Sequence, residues 1–462
     1  MEFLHLCSFR FQMKDLTEGN EARLILNFAT PMLLGNLFQQ LYNIVDTIIV
    51  GNILGKEALA AVGASFPIIF TLISLIIGVA SGGTIVIAQY FGAKDIKNVK
   101  RAIDTLYIFL FFASVILSVI GVYFTEEIFR LVQLPEEILP QAKNYLTIYL
   151  SGLIVFFGFN GTSAILRGLG DSKTPLYFLV ISTFFNIGLD LLFILVFEWG
   201  VAGAALATVI SQGGAFLTAI LYLNRYHKII SFNISEFQFD NRIFRQSLRI
   251  GLPTGIQHTF ISLGNLALMA IVNSFGTNVI AAYSAAIRID NLAVLPAMNF
   301  GAALATFVGQ NLGAGKSIRV KTGFKMTLLM SSIISVTVTL IVIVFKKQLI
   351  GLFTSDAEVI RIGSEYLLIV CSFYLLFTAM FKINGVLRGA GDTLIPMFIS
   401  LFSLWVIRIP IAWIFSSRIG ETGIWWAIPA GWLIGLIFYY LYYATGKWRN
   451  KVVVKPVIID PE

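Results

Sequence analysis

The sequence has little of what a soluble enzyme or a metalloprotein uses. Only 13% of its 462 residues are charged, and it contains three histidines and two cysteines, Cys7 and Cys371. Two widely separated cysteines predict neither a disulfide framework nor a metal site of the zinc-finger kind. An ATP-binding loop is not predicted either, because Gln310 stands where the pattern leading to Lys316 requires a glycine. Enzymatic activity, ATP-driven pumping and a bound cofactor are therefore not expected.

What the chain has instead is apolar sequence: 57% of its residues are hydrophobic and the mean hydropathy is +0.83. Long continuous apolar runs recur, each able to cross a hydrocarbon layer of roughly 30 Å as a helix. Barrel strands would alternate polar and apolar residues over about ten positions, which these runs do not. Twelve membrane spans are predicted, at about 24–54, 59–88, 101–124, 139–165, 174–197, 201–226, 243–275, 278–308, 320–345, 357–387, 393–418 and 422–446.

The chain is also an internal duplication with a fixed offset of 221 residues. Identical residues recur at this offset; Gly55, Gln89, Gly92, Arg167, Gly170 and Asp171 correspond to Gly276, Gln310, Gly313, Arg388, Gly391 and Asp392. Six spans in each copy give both copies the same orientation in the membrane. The predicted fold is therefore an all-α polytopic membrane protein with two pseudo-twofold-related six-helix bundles around a central cleft. Such repeats are a signature of secondary transporters.

Basic residues cluster in alternate loops, as at Lys94, Lys97 and Lys100, whereas the loop 124–138 is acidic. This is the positive-inside pattern, with both termini in the cytoplasm. It accounts for the net charge of +8 without a nucleic-acid partner. Met13 is an alternative candidate start to Met1, and the choice does not affect the predicted spans. The predicted parts are an N-terminal cytoplasmic segment 1–23, a bundle 24–226, a cytoplasmic linker 227–242, a second bundle 243–446 and a cytoplasmic tail 447–462.

The candidate chemistry lies where carboxylates stand inside predicted spans, because such residues are costly in a membrane and usually functional. Asp46 lies deep in the first span and Asp190 in the fifth. Asn186 lies four residues before Asp190, on the same helix face. Thr208 is predicted at a similar depth on the neighbouring antiparallel helix. These four residues are predicted to form the cation-coupling site.

Three interpretations of this site remain open. Carboxylate, amide and hydroxyl oxygens are the ligands that a hard cation such as Na⁺ prefers. Either carboxylate could instead carry a proton. The third interpretation is a buried polar cluster that only pins the helices together.

The second copy does not repeat the acids, since Ala267, Ile407 and Ile411 occupy the corresponding positions. Ion coupling is therefore predicted for the N-terminal half. The second half has its own charged residues within spans, namely Arg288, Asp290, Lys382 and Arg408. Arg288 and Asp290 could pair with each other. For Lys382 and Arg408 three roles remain open: balancing charge, contacting lipid phosphate or touching substrate.

Two further motifs have mainly structural interpretations. The repeated Leu-Arg-Gly-x-Gly-Asp segments at 166–171 and 387–392 are predicted to end helices, with glycine closing the helix and arginine at its C-terminal dipole. Pro31 and Pro253 lie within the first span of each copy, where proline removes a backbone donor and kinks a helix. Pro31 is therefore a predicted kink in span 1.

Together, the twelve spans, Pro31, Asp46, the Asn186–Asp190 pair, Thr208 and the repeated motif resemble the MATE (multidrug and toxic compound extrusion) family, nearest its DinF-like branch. The resemblance covers about residues 17–446. It implies antiport, in which inward H⁺ or Na⁺ drives the export of organic, often cationic and apolar compounds. It also implies a substrate cavity next to the cation site, lined by Gln39, Tyr42, Tyr145 and Asn160. The expected location is the cytoplasmic (inner) membrane of a prokaryote.

The alternative within transport is a flippase for a lipid-linked oligosaccharide or lipid precursor, which would use Arg288, Lys382 and Arg408 to bind pyrophosphate. A membrane scaffold or receptor would have no use for duplicated bundles whose intramembrane acids differ between the two halves. The expected partners are the lipid bilayer and small organic substrates, and we expect a monomer.

Overall fold

The computed structural model describes residues 14–226 and 232–454, and within these ranges it contains helices and no strands. Cys7 and the alternative starts Met1 and Met13 lie outside the described residues. The prediction of an all-α protein is confirmed for the described part of the chain.

Sixteen α-helices follow one another along the described residues. The first copy forms α1 (Glu21–Ile49), α2 (Lys56–Gly92), α3 (Ile96–Tyr123), α4 (Thr125–Leu131), α5 (Leu139–Ser151), α6 (Leu153–Gly168), α7 (Lys173–Leu191) and α8 (Gly200–Tyr226). The second copy forms α9 (Asn241–Asn273), α10 (Thr277–Gly313), α11 (Ser317–Gly351), α12 (Ala357–Cys371), α13 (Tyr374–Gly389), α14 (Leu394–Leu401), α15 (Ile409–Ile419) and α16 (Thr422–Ala444). The long apolar runs of the sequence thus all become helices.

Two predicted spans are broken rather than continuous. α5 and α6 meet at an angle of 50° around Gly152, and α12 and α13 meet at 47° around Ser372 and Phe373. At Gly152 a side chain would collide with Val209, so the chain passes α8 closely at this bend. Spans 4 and 10 of the sequence prediction are therefore bent helix pairs. Hydropathy could not reveal this, because the apolar sequence continues across both breaks.

Nine helices of the described residues are long and apolar enough to cross a membrane, or eleven if each bent pair counts as one span. The predicted number of twelve is not confirmed. α1 is long enough, with 29 residues, but it is not among these helices. Its apolar character is diluted by a series of polar side chains, namely Asn36, Gln39, Gln40, Asn43 and Asp46.

Three segments of the described chain are π-helical: Val50–Leu54 after α1, Leu192–Val196 after α7 and Phe402–Arg408 between α14 and α15. π-helical turns are rare and frequently occur at functional sites. Two of the three begin within four residues of Asp46 or Asp190. Helix geometry therefore changes directly beside the acids predicted from the sequence.

By its internal packing, the described chain comprises two compact units. The first contains 14–16, Phe38–Leu72 and Lys94–Arg245, and the second contains Thr17–Leu37, Ile73–Ala93 and Gln246–Glu462, each within the described residues. The first unit therefore includes the C-terminal part of α1 and all of α7 and α8. The bundle limits and the central cleft proposed from the sequence stay predictions.

Each unit has an aromatic core. In the first unit, Phe159 and Phe178 pack against small residues of α8. In the second unit, Tyr283 stacks on Trp425 with ring centroids 5.7 Å apart, and Tyr366 meets Trp425 edge-on at 5.0 Å. Edge-on and offset ring pairs contribute stability beyond the area they bury.

Glycines allow helices of the second unit to cross at close range. Gly78 and Gly82 on α2 face Gly251 and Gly255 on α9, where an added Cβ at Gly78, Gly82 or Gly251 would collide with backbone atoms. Pairs of small residues four positions apart let membrane helices approach in this way. Helix contact at this crossing therefore depends on the absence of side chains.

The repeated Leu-Arg-Gly-x-Gly-Asp motifs form helix-ending turns, as the structural interpretation predicts. Gly170 and Gly391 have φ of +84° and +88°, which glycine adopts without strain. In the first motif, Asp171 Oδ1 accepts hydrogen bonds from the backbone nitrogens of Lys173 and Thr174 at 2.9 and 3.1 Å. The motif therefore ends one helix and caps the next.

Candidate cation site

Asp46 and Asp190 meet within the first unit, although 144 positions separate them in the sequence. α1 places Asp46 just before one π-helical turn, and α7 places Asp190 just before another. Their carboxyl groups lie within hydrogen-bonding reach of each other. The Oδ1 atom of each is buried without a hydrogen-bond donor in the described part of the chain. Two adjacent carboxylates repel each other unless a proton or a cation lies between them.

Asn186 and Thr208 join the same cluster. With the Asn186 amide turned so that both of its ends are satisfied, its nitrogen donates to Asp190 Oδ2 at 2.9 Å and its oxygen accepts from the Thr208 backbone nitrogen at 3.3 Å. Asp190 is 0% exposed and Asn186 1%. The four residues predicted from the sequence as the cation site are thus brought together by α1, α7 and α8.

Tyr42 extends the cluster with a third kind of oxygen. Its hydroxyl lies 3.1 Å from Thr208 Oγ1. Because Thr208 Oγ1 itself donates to the Ala204 carbonyl at 3.1 Å, Tyr42 is the donor to Thr208 and keeps its own oxygen lone pairs free. The phenolic oxygen of Tyr42 could therefore coordinate a cation bound beside the acids.

Aromatic side chains surround the acids. Tyr145 and Tyr149 of α5 interact electrostatically with Asp46, and their rings stack with centroids 6.3 Å apart. Tyr145 was predicted from the family resemblance, whereas Tyr149 was missed. The signal that could have found it is the four-residue spacing from Tyr145, which places both rings on one helix face.

The other predicted residues lie in α1 and α6. Gln39 is half-buried in α1, one helical turn before Tyr42. Asn160 is half-buried in α6, where its amide donates to the Phe156 carbonyl at 2.9 Å. Pro31 is buried in the part of α1 that belongs to the second unit, and α1 remains helical across it. Their roles in a substrate cavity and in a kink stay predictions.

The charges of the second copy are distributed differently. Asp290 accepts a hydrogen bond from the Tyr374 hydroxyl at 2.5 Å, and the Arg288 guanidinium lies over the Phe353 ring, 6.0 Å from its centre. Arg288 and Asp290 form no ion pair in the described chain, so the pairing that the sequence allowed is wrong. Arg288 is exposed on another face of α10.

Lys382 is fully buried in α13. Its Nζ donates to the Ala297 carbonyl at 2.5 Å and lies 5.9 Å from the centre of the Phe300 ring. Carbonyl and ring contacts of this kind satisfy a buried ammonium group within the protein. Contact with lipid phosphate is therefore incompatible with the position of Lys382.

The acid cluster offers a cation only a few ligands, all of them side-chain oxygens. Within the described residues, no group of three or more His, Cys, Asp or Glu side chains could hold a metal ion. Two carboxylates, an amide, a hydroxyl and a phenol remain. Such a set suits a hard monovalent cation or a shared proton, and not a transition metal, which would use imidazole or thiolate ligands.

The duplicated sequence matches a family model twice. The MatE model matches residues 31–192 and again 253–414, so the two matches begin 222 positions apart. The chain belongs to this family. Both the MATE resemblance and the internal duplication inferred from the sequence are confirmed, whereas the DinF-like branch stays a prediction.

Curated MATE relatives align over nearly their whole length. A probable multidrug resistance protein, YpnP from Bacillus subtilis, is 35% identical over 436 residues, covering 94% of this chain and 97% of the relative. A probable multidrug resistance protein, NorM from Thermotoga maritima, is 30% identical, covering 93% of this chain and 94% of the relative. The chain is thus a membrane transport protein of a multidrug efflux family.

The fold is also that of a solved MATE-type transporter. A transporter of the MOP superfamily from Pyrococcus furiosus superposes with a TM-score of 0.88 at 25% identity, covering 94% of this chain and 97% of that one. The apolar helices and the bacterial relatives together make this MATE protein a multi-pass membrane protein.

Proposed function

We propose that the protein is a secondary active multidrug efflux antiporter that exports organic, often cationic and apolar compounds in exchange for inward H⁺ or Na⁺. We further propose that it lies in the cytoplasmic membrane of a prokaryote with both termini in the cytoplasm. The multidrug names of its relatives support export of organic compounds, and the basic loops support the orientation.

The observation that carries the proposal is the contact between Asp46 and Asp190. A pair of buried carboxyl groups with unsatisfied oxygens requires a positive charge, because leaving both ionised and unpaired is costly. Asn186 donates a hydrogen bond to Asp190 and in turn accepts one from the Thr208 backbone nitrogen, which holds the amide in place beside the acid. The pair can therefore take up one small cation and release it when another positive group arrives.

In the proposed cycle, the ionised acids attract a cationic substrate from the cytoplasmic side. A proton or sodium ion from outside then neutralises Asp46 and Asp190, which removes that attraction and releases the substrate outward. Bending of α1 near Pro31 is the proposed accompanying movement, since proline leaves a backbone carbonyl without its helical donor.

The available driving force is modest. One elementary charge moving through 100 mV provides about 2.3 kcal/mol, and about 1.4 kcal/mol corresponds to a tenfold gradient. The electrical contribution therefore supports a substrate gradient of about fiftyfold. A monovalent cationic substrate exchanged for one ion would cancel this contribution and leave only the chemical gradient of the ion.

The test is efflux of a cationic dye such as ethidium from proteoliposomes, under an imposed sodium gradient and separately under an imposed pH gradient. Wild-type protein should extrude dye under at least one gradient, and the one that works identifies the ion. Asp46→Asn and Asp190→Asn should each reduce gradient-driven efflux to the level of empty vesicles. Both variants should still insert, because asparagine keeps the shape of the side chain.

Undiminished efflux by either inserted variant would contradict the proposal. Dye transport that is absent from wild-type protein under both gradients would also contradict it. Translocation of a fluorescent lipid-linked precursor in the same vesicles would then favour the flippase alternative.

A further inference from the structure

Arg408 lies within the membrane-spanning stretch Leu394–Ile419 and forms no ion pair with any described residue. It ends the π-helical segment Phe402–Arg408, and its buried Nε has no hydrogen-bond partner in the described chain. The ion pairs among the described residues all involve other arginines and lysines. An unpaired guanidinium at membrane depth is costly and by default marks a functional site.

Arg408 lines a cavity of about 270 Å³ that lies entirely within the second unit. This volume is close to the lower end of the roughly 300–1,000 Å³ typical of small-molecule sites. Its walls combine five aromatic side chains, namely Tyr366, Phe377, Phe381, Trp432 and Tyr439, with amides that include those of Asn265 and Asn291. Apolar walls with a few polar groups are typical of a site for a small organic molecule.

Asp290 also lines this cavity, but it does not neutralise Arg408 directly. The Asp290 carboxylate accepts the Tyr374 hydroxyl at 2.5 Å, and no ion pair within 4 Å joins it to Arg408 in the described residues. The acid therefore lowers the positive potential of the cavity without engaging Arg408 in an ion pair.

The packing of the π-helical segment Phe402–Arg408 against α16 favours a fixed position for the Arg408 side chain. A Cβ atom added to Gly431 of α16 would lie 3.1 Å from Arg408 Cβ, so the glycine leaves room for the start of the arginine side chain. On the same π-helical segment, Ser403 donates to the Gly431 carbonyl at 2.5 Å. The segment is thus held against α16 at the position where Arg408 enters the cavity.

We propose that this cavity is a second binding site, distinct from the cation site, and that it takes an aromatic organic anion whose carboxylate binds Arg408. The planar guanidinium offers parallel N–H donors that match a carboxylate, and such charge-assisted bonds are among the strongest in proteins. The ring of the ligand packs against the aromatic walls. This polarity is opposite to that of the acid cluster in the first unit.

The test is calorimetric titration of the purified, detergent-solubilised protein with 1-naphthoate, with uncharged 1-naphthamide as the matched ligand. Wild-type protein should bind naphthoate and bind naphthamide at least about tenfold more weakly. Arg408→Gln should remove this preference, and Arg408→Lys should retain part of it as a point charge. Arg418→Gln, an exposed position ten residues farther on, should leave the preference unchanged.

Asp290→Asn tests the proposal in the opposite direction, because it should raise the affinity for naphthoate. Removing this carboxylate from the cavity should strengthen naphthoate binding and leave naphthamide binding unchanged. Equal binding of both ligands to wild-type protein, or an undiminished naphthoate preference in Arg408→Gln, would overturn the proposal. Titration needs no ion gradient, so its failure would not affect the proposed antiport, nor would failure of antiport affect this site.

Discussion

The two copies of the duplicated unit retain the same backbone turns but carry different charges. Gly55 and Gly276 have φ of +86° and +89°, and Gly170 and Gly391 agree as closely. By contrast, Ala267 and Ile411 occupy the positions equivalent to Asp46 and Asp190. The glycine turns are therefore required for the fold of each copy, whereas each set of buried charges occurs in one copy only. Comparing the two copies thus distinguishes residues that serve the fold from residues that serve a binding site.

The two copies also differ in the sign of their buried charges. In the first copy, two acids and an amide form the buried cluster proposed as the cation site. In the second copy, Arg408 lines a cavity with aromatic walls, where Asp290 is the one acid among the described lining residues. If both proposed sites are functional, the two copies divide transport between a cation site and a site of the opposite polarity.

The largest expected effect comes from breaking the contact that both copies build in the same way. An added Cβ at Gly92 would overlap the Gln310 backbone, and one at the equivalent Gly313 would overlap the Gln89 backbone. Gly92→Ala and Gly313→Ala should each destabilise the protein by about 1–3 kcal/mol, the usual range for overpacking. Thermal unfolding in detergent should show both variants losing stability to a similar extent.

The matched control is Gly63→Ala, on the same helix as Gly92, where nothing lies within 4 Å of an added Cβ. Alanine there should be neutral or slightly stabilising, because it favours helix more than glycine does. A stability loss in only one of the two contact variants would show that the copies do not share this backbone contact equally.

A smaller effect is expected from Thr208, whose hydroxyl has no counterpart in the second copy because Pro429 stands there. Thr208→Val removes the acceptor for the Tyr42 hydroxyl. A net loss of about 1 kcal/mol corresponds to a roughly fivefold higher ion concentration for half-maximal dye efflux. Thr208→Ser keeps the hydroxyl and should restore most of the affinity. If Thr208→Val and Thr208→Ser require the same ion concentration for half-maximal efflux, the Thr208 hydroxyl does not contribute to the cation site.

The smallest effect is expected for charges outside the membrane. Lys143 and Arg130 hydrogen-bond Glu126 at 2.7 Å and hold its pKa below the ordinary value of 4.5. A lowered pKa in the folded state stabilises the fold above the unfolded pKa, and this contribution is lost as the pH falls through the folded value. Solvent-exposed ion pairs such as these contribute little to the free energy of unfolding.

Glu126→Gln should therefore shift the unfolding temperature only near the limit of detection at pH 7, and less still when the pH is well below 4.5. Thermal scans of both proteins at several pH values measure this. A large shift at neutral pH would mean that surface ion pairs matter as much as the buried charges, which the comparison of the two copies does not predict.

The sequence by itself determined which stretches are helical, because apolar runs and fixed-offset repeats are local properties of the chain, but it did not show the bends within spans 4 and 10. It also identified Asp46, Asn186, Asp190 and Thr208, since a polar residue in an apolar span is conspicuous wherever the span lies. Only the tertiary structure decided which of these groups meet, because carboxyl–carboxyl contact depends on how α1 packs against α7. It also separated Arg288 from Asp290, joined Asp290 to Tyr374 and placed Arg408 at a cavity. Hydropathy does not record on which side of a helix a charge lies or what faces it, and packing does.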